Sequence, residues 1–579
     1  MASVSKYKFS ITLVLIIIIQ IILMFQGFDV CDDGFVLTFY QQIYSHPTSV
    51  EYNFLYWFSG IFGGLWHMLN EDGGVLWFRI LGVIVNTSTF VISYNILKKH
   101  IASTYLLLAL VMVMFVNDYG FLTFYHNHLT ALLTVIIVWC ILYGLKKKVL
   151  SYFFIAGFIF VFNGLTRLPN FVMACLFLVI PFYYFLKDKN LKKSIKPLVL
   201  SIVGFATGLV SAYLLLLVLG QLKTMENALL TMIDVGNTEG SSHNFKTLLK
   251  AQFQNYLNIA LDLLQVIVVF FVAILGLRLI RKQAVLRYLF LIAFGIIIMI
   301  WFDKNGIYAV YALAYVGSIY IIVNKNFTIE LRAISFLAFM MLLGMTIGSA
   351  GGILNTGYIA IWIALPLFFI AFQDILSRSK QLFSNNSDTT FQTSSLILCT
   401  LSISFLILKS YRIFNQAYFD EGSRLQKTYA INNNMANHIY TTERRAQIIN
   451  DLLNNLEKYV DKDDYLFAYD HMPMLHYLTE TRPYIYNPWP GIYDDYSLEN
   501  KIKKAEKEIS VMPTVVVQKF NTIIRFSEPI EDYMIPEKNN EVLHGSKSIA
   551  LMNSFLQRNN YRIVWSNSYF NIYQSYEVR

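Results

Sequence analysis

The stretch "ITLVLIIIIQIILMFQGFDVCDDGFVLTFYQQIY", residues 11–44, decides how the chain is read. A run greasy enough to enter a bilayer stops abruptly, Asp29, Asp32 and Asp33 follow within a few residues, and the sequence then turns apolar and aromatic again. A carboxylate beside a hydrocarbon core loses hydration, so three of them at the end of a first span ask for a purpose. The opening could pass for a secretory signal. Its apolar run is long and lacks a small-residue cleavage site, so it reads as a retained first helix.

Working outward, the 579 residues are 56% hydrophobic and 14% charged, with 38 Tyr and 46 Phe, which argues against a soluble globular protein. The net charge of +9 does not point to nucleic acid, because the Lys and Arg sit in short clusters between apolar runs. Of the four cysteines, Cys140, Cys175 and Cys399 lie inside apolar segments and Cys31 in the acidic turn. No disulfide is expected.

Apolar runs near 9–26, 74–96, 102–117, 128–145, 149–165, 170–186, 197–220, 257–277, 285–301, 307–323, 331–348, 357–372 and 393–409 predict about thirteen transmembrane helices. The basic clusters at 6–8, 98–99, 146–148, 187–196, 278–287, 325–332 and 378–380 all fall on one side, which is then the cytoplasm. The Asp turn, Asp118, Arg167, the connection 221–256, Lys304 and "GSAGGILNTGY" accordingly face outward. "EYNFLYWFSGIFGGLWHML", broken by Gly60, Gly63 and Gly64, would invert that order if it crossed. With "FVLTFYQQIY" it reads as interfacial helices, over about residues 35–70. The membrane module thus spans 1–409. From 410 to 579 polar helical stretches alternate with "YLFAY", "TVVVQ" and "YRIVWS", predicting an outward soluble α/β domain that ends in a hairpin.

Roofed by aromatic helices, an Asp carboxylate becomes basic enough to take a proton from a hydroxyl; otherwise the trio merely ends a helix in solvent. "NDYGFLTFYHNHLTALL" brings Asp118, His126 and His128 to the same side, as ligands for a sugar hydroxyl or phosphate or as interfacial histidines. Arg167 in "FNGLTRLPN" is a lone cation between apolar runs; it either grips a phosphate or bridges to an outward carboxylate. Residues 221–256, with Lys223, His243, Lys246 and Lys250, read as a mobile loop that orders around a ligand. Asn355, among small residues, either admits a bulky ligand or marks close helix packing. The carboxylates and the His-x-His pair lack strong metal-ligand spacing, so a divalent metal is possible but not required, and no cofactor is certain.

Together, "CDDGFVLTFYQQI", "EYNFLYWFSGIFGGLWHML…GVLWFRILGVI" with Arg79, "YHNHLTALL", "FNGLTRLPN" and "YLFAYDHMPMLHYLTETRPYIYNPW" resemble the C-type superfamily of polyprenyl-phosphate-sugar glycosyltransferases, in particular the branch with the lipid A aminoarabinose transferase and protein mannosyltransferases. The pair here is Asp-Asp rather than Asp-Glu. The resemblance implies an inverting transfer from a polyprenyl-phosphate sugar to a lipid, glycan or protein. High Lys, Asn, Ile and Tyr suggest a bacterial inner membrane, the basic clusters put the N-terminus in the cytoplasm and the C-terminal domain in the periplasm, and a monomer is expected. The resemblance also implies Asp32 as general base, Asp33 and Asp29 as orienting groups, and Arg167 with one of His126, His128, Lys223 or Lys304 at the leaving phosphate. Two other classes fit a multi-span chain. A flippase or transporter would show repeat symmetry or broken mid-membrane helices, which are not evident; an O-antigen polymerase or ligase would use large outward loops instead of a C-terminal domain.

Overall fold

A computed structural model describes residues 2–117, 120, 122–237, 244–280, 283–349, 351–378, 387–469, 471–519 and 546–576. About 75% of it is helical. The helices are α1 (Ala2–Leu23), α2 (Asp32–Gln42), α3 (Trp57–Leu69), α4 (Gly74–Leu97), α5 (Ser103–Phe115), α6 (His126–Lys147), α7 (Ser151–Thr166), α8 (Val179–Asp188), α9 (Ile195–Val218), α10 (Leu222–Asn237) and α11 (Phe245–Leu279). They continue with α12 (Ala284–Asn305), α13 (Ile307–Val323), α14 (Ile329–Gly344), the short α15 (Ile353–Thr356), α16 (Ile361–Arg378) and α17 (Ser387–Asn415). Helical structure stands at every apolar run identified in the sequence. Among the described residues, 8 helical stretches are long and apolar enough to cross a membrane, while Tyr7–Leu23, Ser103–Phe115, Ser151–Thr166 and Ile307–Val323 are shorter apolar helices. The chain is a polytopic helical protein.

The aromatic segment forms two pieces, a 3-10 stretch Pro47–Tyr56 and α3. At 1.5 Å per residue α3 is about 20 Å long, short of a hydrocarbon core. Its glycines do not break it, contrary to the sequence reading. They form its contact face: a Cβ on Gly60 would stand 2.3 Å from the Phe39 ring and one on Gly63 2.5 Å from Tyr40, so α3 can lie on α2 only where side chains are missing. Residues 221–256 also differ from expectation. Leu222–Asn237 is a regular helix and α11 begins at Phe245, because Met225 and Ala228 supply a buried face that the polar composition hides.

Beyond α17 lie β1 (Tyr429–Ala430), β2 (Tyr440–Thr441), α18 (Glu443–Leu456), β3 (Tyr465–Tyr469), α19 (Met474–Leu478), β4 (Arg482–Pro483), α20 (Asp495–Glu508), β5 (Thr514–Gln518), α21 (Ser546–Arg558), β6 (Tyr561–Ser566) and β7 (Phe570–Ser575). Five strands make one sheet in the order β4-β3-β5-β7-β6. β3 runs parallel to β4 and β5, and β7 antiparallel to β5 and β6, the last two forming the expected hairpin.

This domain grips the acidic turn and its helix directly. The backbone of Tyr440 accepts from the Gly27 amide at 2.9 Å and donates to the Phe25 carbonyl at 2.8 Å. The Met474 amide donates to Val30, and a Cβ on Gly34 would fall 2.1 Å from that amide, so α2 and the start of α19 touch backbone to backbone. A second anchor is Glu51, buried in the 3-10 stretch, whose carboxylate meets Lys501 at 2.8 Å and Lys504 at 3.0 Å on α20 and Asn227 at 2.9 Å on α10.

Candidate functional site

The turn between α1 and α2 gives its three carboxylates different surroundings. Asp29 is buried and accepts from the Cys31 amide at 2.7 Å and the Asp33 amide at 2.8 Å, holding the first turn of α2. Asp33 is buried too; its Oδ2 accepts from Thr123 Oγ1 at 2.9 Å and from Arg79 Nη2 at 3.4 Å. Asp32 stays part-exposed and accepts the phenol proton of Tyr418, which lies just beyond α17. Burial lifts all three carboxyls above their ordinary range. For Asp29 the neighbouring Asp33 and Asp32 charges add to the rise, and for Asp33 the Arg79 guanidinium offsets part of it. Burial pushes Asp32 up to about 6, the Tyr418 hydrogen bond opposing and Asp33 reinforcing the shift.

Aromatic rings cluster on His126 near these charges. Tyr56 stacks on His126 with ring centroids 4.0 Å apart, and Tyr125 packs on the same histidine at 3.9 Å. Burial raises the phenol of Tyr56; the Arg167 guanidinium opposes the rise and the Asp32 carboxylate adds to it, so this ring lies within electrostatic reach of both charges. Arg167 is buried at the end of α7 and donates to the Met345 carbonyl at 3.0 Å, Ile347 at 3.3 Å and Asn170 Oδ1 at 3.3 Å. All these acceptors are neutral, and among the described residues no carboxylate stands within 4.0 Å of it. A cavity of about 60 Å³ beside His128 and Tyr358 runs between α1, α5, α6 and α16, lined mainly by apolar groups such as Ile16, Leu23, Val113 and Trp362.

Asp29, Asp32, Asp33, His126, His128 and Arg167 therefore come together, with Arg79 against the turn, while other expected members do not. Arg79 is a brace and not a free ligand: its guanidinium donates to the Met24 and Gly27 carbonyls, each at 2.8 Å, as well as to Asp33. Lys223 is exposed on α10 and pairs with Glu226 at 3.0 Å; Lys304 is exposed at the end of α12 and Asn355 is exposed on α15. The small residues around Asn355 serve packing, Gly348 against Pro169 and Gly352 against Asn255. Asp118 and His243 lie outside the described residues. Among those described, no group of three or more His, Cys, Asp and Glu side chains is placed to hold a metal ion.

Several members carry no sequence signal. Tyr418 and Thr123 are ordinary residues until the fold brings them to the turn. Behind it sits a fully buried cluster, Asp420 with Lys427 at 3.0 Å and Arg445 at 3.7 Å, and Asp420 Oδ2 accepts from the Phe28 amide at 2.8 Å. "YFDEGSR", where a charged run follows the last apolar helix, was the available hint.

No family model matches the chain, and no curated protein matches it. What the fold and site define is a polytopic helical protein with a carboxylate turn and a buried guanidinium held by neutral acceptors. Chemically those groups offer a proton acceptor and an anion clamp.

Proposed function

We propose that the chain is an inverting membrane glycosyltransferase that moves a sugar from a polyprenyl-phosphate donor to a lipid, glycan or protein acceptor on the outer face of a bacterial inner membrane. One observation carries the reading: the part-exposed Asp32 carboxylate, with its raised basicity, and Arg167 both lie within electrostatic reach of Tyr56, and Arg167 is buried with no described carboxylate beside it. A buried guanidinium held only by neutral acceptors is poised for an anion, and a phosphate accepts two of its hydrogen bonds at once. The apolar cavity beside His128 suits the start of a prenyl chain.

In this scheme the acceptor O–H or N–H loses its proton to Asp32 as its heteroatom bonds to the anomeric carbon. The bond from that carbon to the phosphate oxygen breaks on the opposite face, inverting the centre, and the electron pair leaves with the polyprenyl phosphate. Arg167 meets the charge that grows there. Asp29 and Asp33 position the turn. About thirteen crossings, with the N-terminus inside and the C-terminal domain outside, belong to the same proposal. Transfer assays with a panel of polyprenyl-phosphate sugars test it. Asp32→Asn is expected to cut turnover by about a hundredfold to ten-thousandfold. Absence of transfer by the wild type from every such donor, or undiminished turnover by Asp32→Asn, would overturn it.

A further inference from the structure

At the far end of the bundle lies a second concave site, independent of the function proposed above. α4 carries Arg79 beside the acidic site and is followed directly by Lys98–Lys99, and α6 runs from His126 to Lys146–Lys147. At 1.5 Å per residue about 28 to 30 Å of helix separates the two ends, one hydrocarbon thickness. Between these ends and the start of α14 opens a groove of about 730 Å³. Its rim carries the four lysines and a single carboxylate, Glu330, which pairs with Lys146 and lies 3.8 Å from His100. Lys98, Lys99 and Lys147 are exposed; Lys98 contacts only the neutral Asn95 amide, and none of the three forms an ion pair with a described carboxylate. Deeper in, the wall is apolar, with Ile92, Ile136 and Ile334, and Trp139, 38% exposed, stands two turns above the lysines beside Tyr143 and Tyr152.

We propose that this groove binds an anionic phospholipid of the leaflet opposite the candidate active site, its phosphodiester headgroup on Lys98, Lys99 and Lys147 and an acyl chain along the isoleucines beneath Trp139. Charge and shape point the same way. A basic cluster that served only to orient the chain would need no recess, whereas a lipid needs a cationic rim continuous with an apolar slot. The volume is that of a small-molecule site.

Native mass spectrometry of the delipidated full chain in detergent, titrated with dioleoyl phosphatidylglycerol or dioleoyl phosphatidylcholine, tests the assignment. At roughly fivefold per lysine near an anionic headgroup, the glycerol lipid is expected to bind tenfold or more tighter than the choline lipid, and Lys98→Gln/Lys99→Gln/Lys147→Gln to lose that preference. Lys→Arg at the same three positions keeps the charge and is expected to keep the preference. Glu330→Gln removes the competing carboxylate and is expected to strengthen phosphatidylglycerol binding; it decides the matter if the triple Gln variant fails to fold. Soluble glycerol phosphate, lacking the acyl chain, is expected not to displace the lipid. Equal binding of the two lipids, a preference that survives the triple Gln change, weaker binding in Glu330→Gln, or displacement by glycerol phosphate would each overturn the proposal.

Discussion

Tyr418→Phe removes one hydrogen bond from the group proposed as the base, and its effect on the pH profile can be worked out. The phenol donates to Asp32 Oδ2 and is the largest force holding that carboxyl down against burial; with it in place the group titrates at about 6. A hydrogen bond to a charged group contributes about 1.5 to 3 kcal/mol, and one pKa unit corresponds to about 1.4 kcal/mol. Deleting the phenol hydroxyl therefore lifts Asp32 by about one to two units, toward the lower figure because water reaches this part-exposed carboxylate. The base works only when ionised. In the wild type kcat/KM falls as pH drops through about 6. In Tyr418→Phe the same limb appears near 7 to 8, so activity at neutral pH falls by roughly twofold to tenfold and returns in mild alkali. Transfer rates at subsaturating donor, from about pH 5 to about pH 9, read this directly. An acid limb that stays in place while the plateau drops would refute the reasoning, since Tyr418 would then matter without setting the proton affinity of Asp32.

Three further outcomes are expected. Because the folded-state pKa of Asp32 is raised from 3.8 to about 6, ionising it costs the fold stability as pH rises through that window; Asp32→Asn is expected to melt no earlier than the wild type at neutral pH, and up to about 3 kcal/mol more stably, in a detergent thermal-shift assay. Arg167→Lys keeps the charge but not the two-pronged grip and is expected to retain partial transfer with weaker donor binding, whereas Arg167→Ala loses most activity; an Ala variant that melts early yet binds donor normally when folded would assign Arg167 to the carbonyls of Met345 and Ile347 alone. Glu51→Gln leaves the buried Lys501 ammonium without its counter-charge and is expected to destabilise the chain by about 3 kcal/mol and to expose the C-terminal domain to limited proteolysis.

What the sequence made legible was local. Unbroken apolar runs located the helices, and short β-branched or aromatic runs located strands, "YLFAY" as Tyr465–Tyr469 and "TVVVQ" as Thr514–Gln518, because both signals lie in neighbouring residues. Asp29, Asp32, Asp33 and Arg167 were legible for a related reason: a charge among apolar residues stands out. The partners were not. Tyr418 lies 386 positions from Asp32, and only the fold brings them together. Arg79 looked like a substrate ligand because its true acceptors are mostly backbone carbonyls, which leave no mark in the sequence. Polar, Gly- and Asn-rich composition likewise made α10 look like a loop, since its contact with the Glu51 stretch shows only in three dimensions.

The same contacts set Asp32, the proposed base, apart from its neighbours. Asp29 is committed to two backbone amides and Asp33 Oδ2 to Thr123 and Arg79, while Asp33 Oδ1 is buried without a hydrogen-bond partner. Asp32 has one committed oxygen, toward Tyr418, and alone of the three keeps some exposure. The turn itself is pinned from two sides: Arg79 ties Met24 and Gly27 to α4, and Asp420, neutralised by Lys427 and Arg445, takes the Phe28 amide. Both cations of that second clamp lie beyond the last apolar helix. The C-terminal domain thus acts as the back wall of the site. Any change that loosens it moves Asp32 even though it touches none of the reacting groups, and a displacement of about 1 Å is enough to cost a hundredfold in a reaction that depends on alignment.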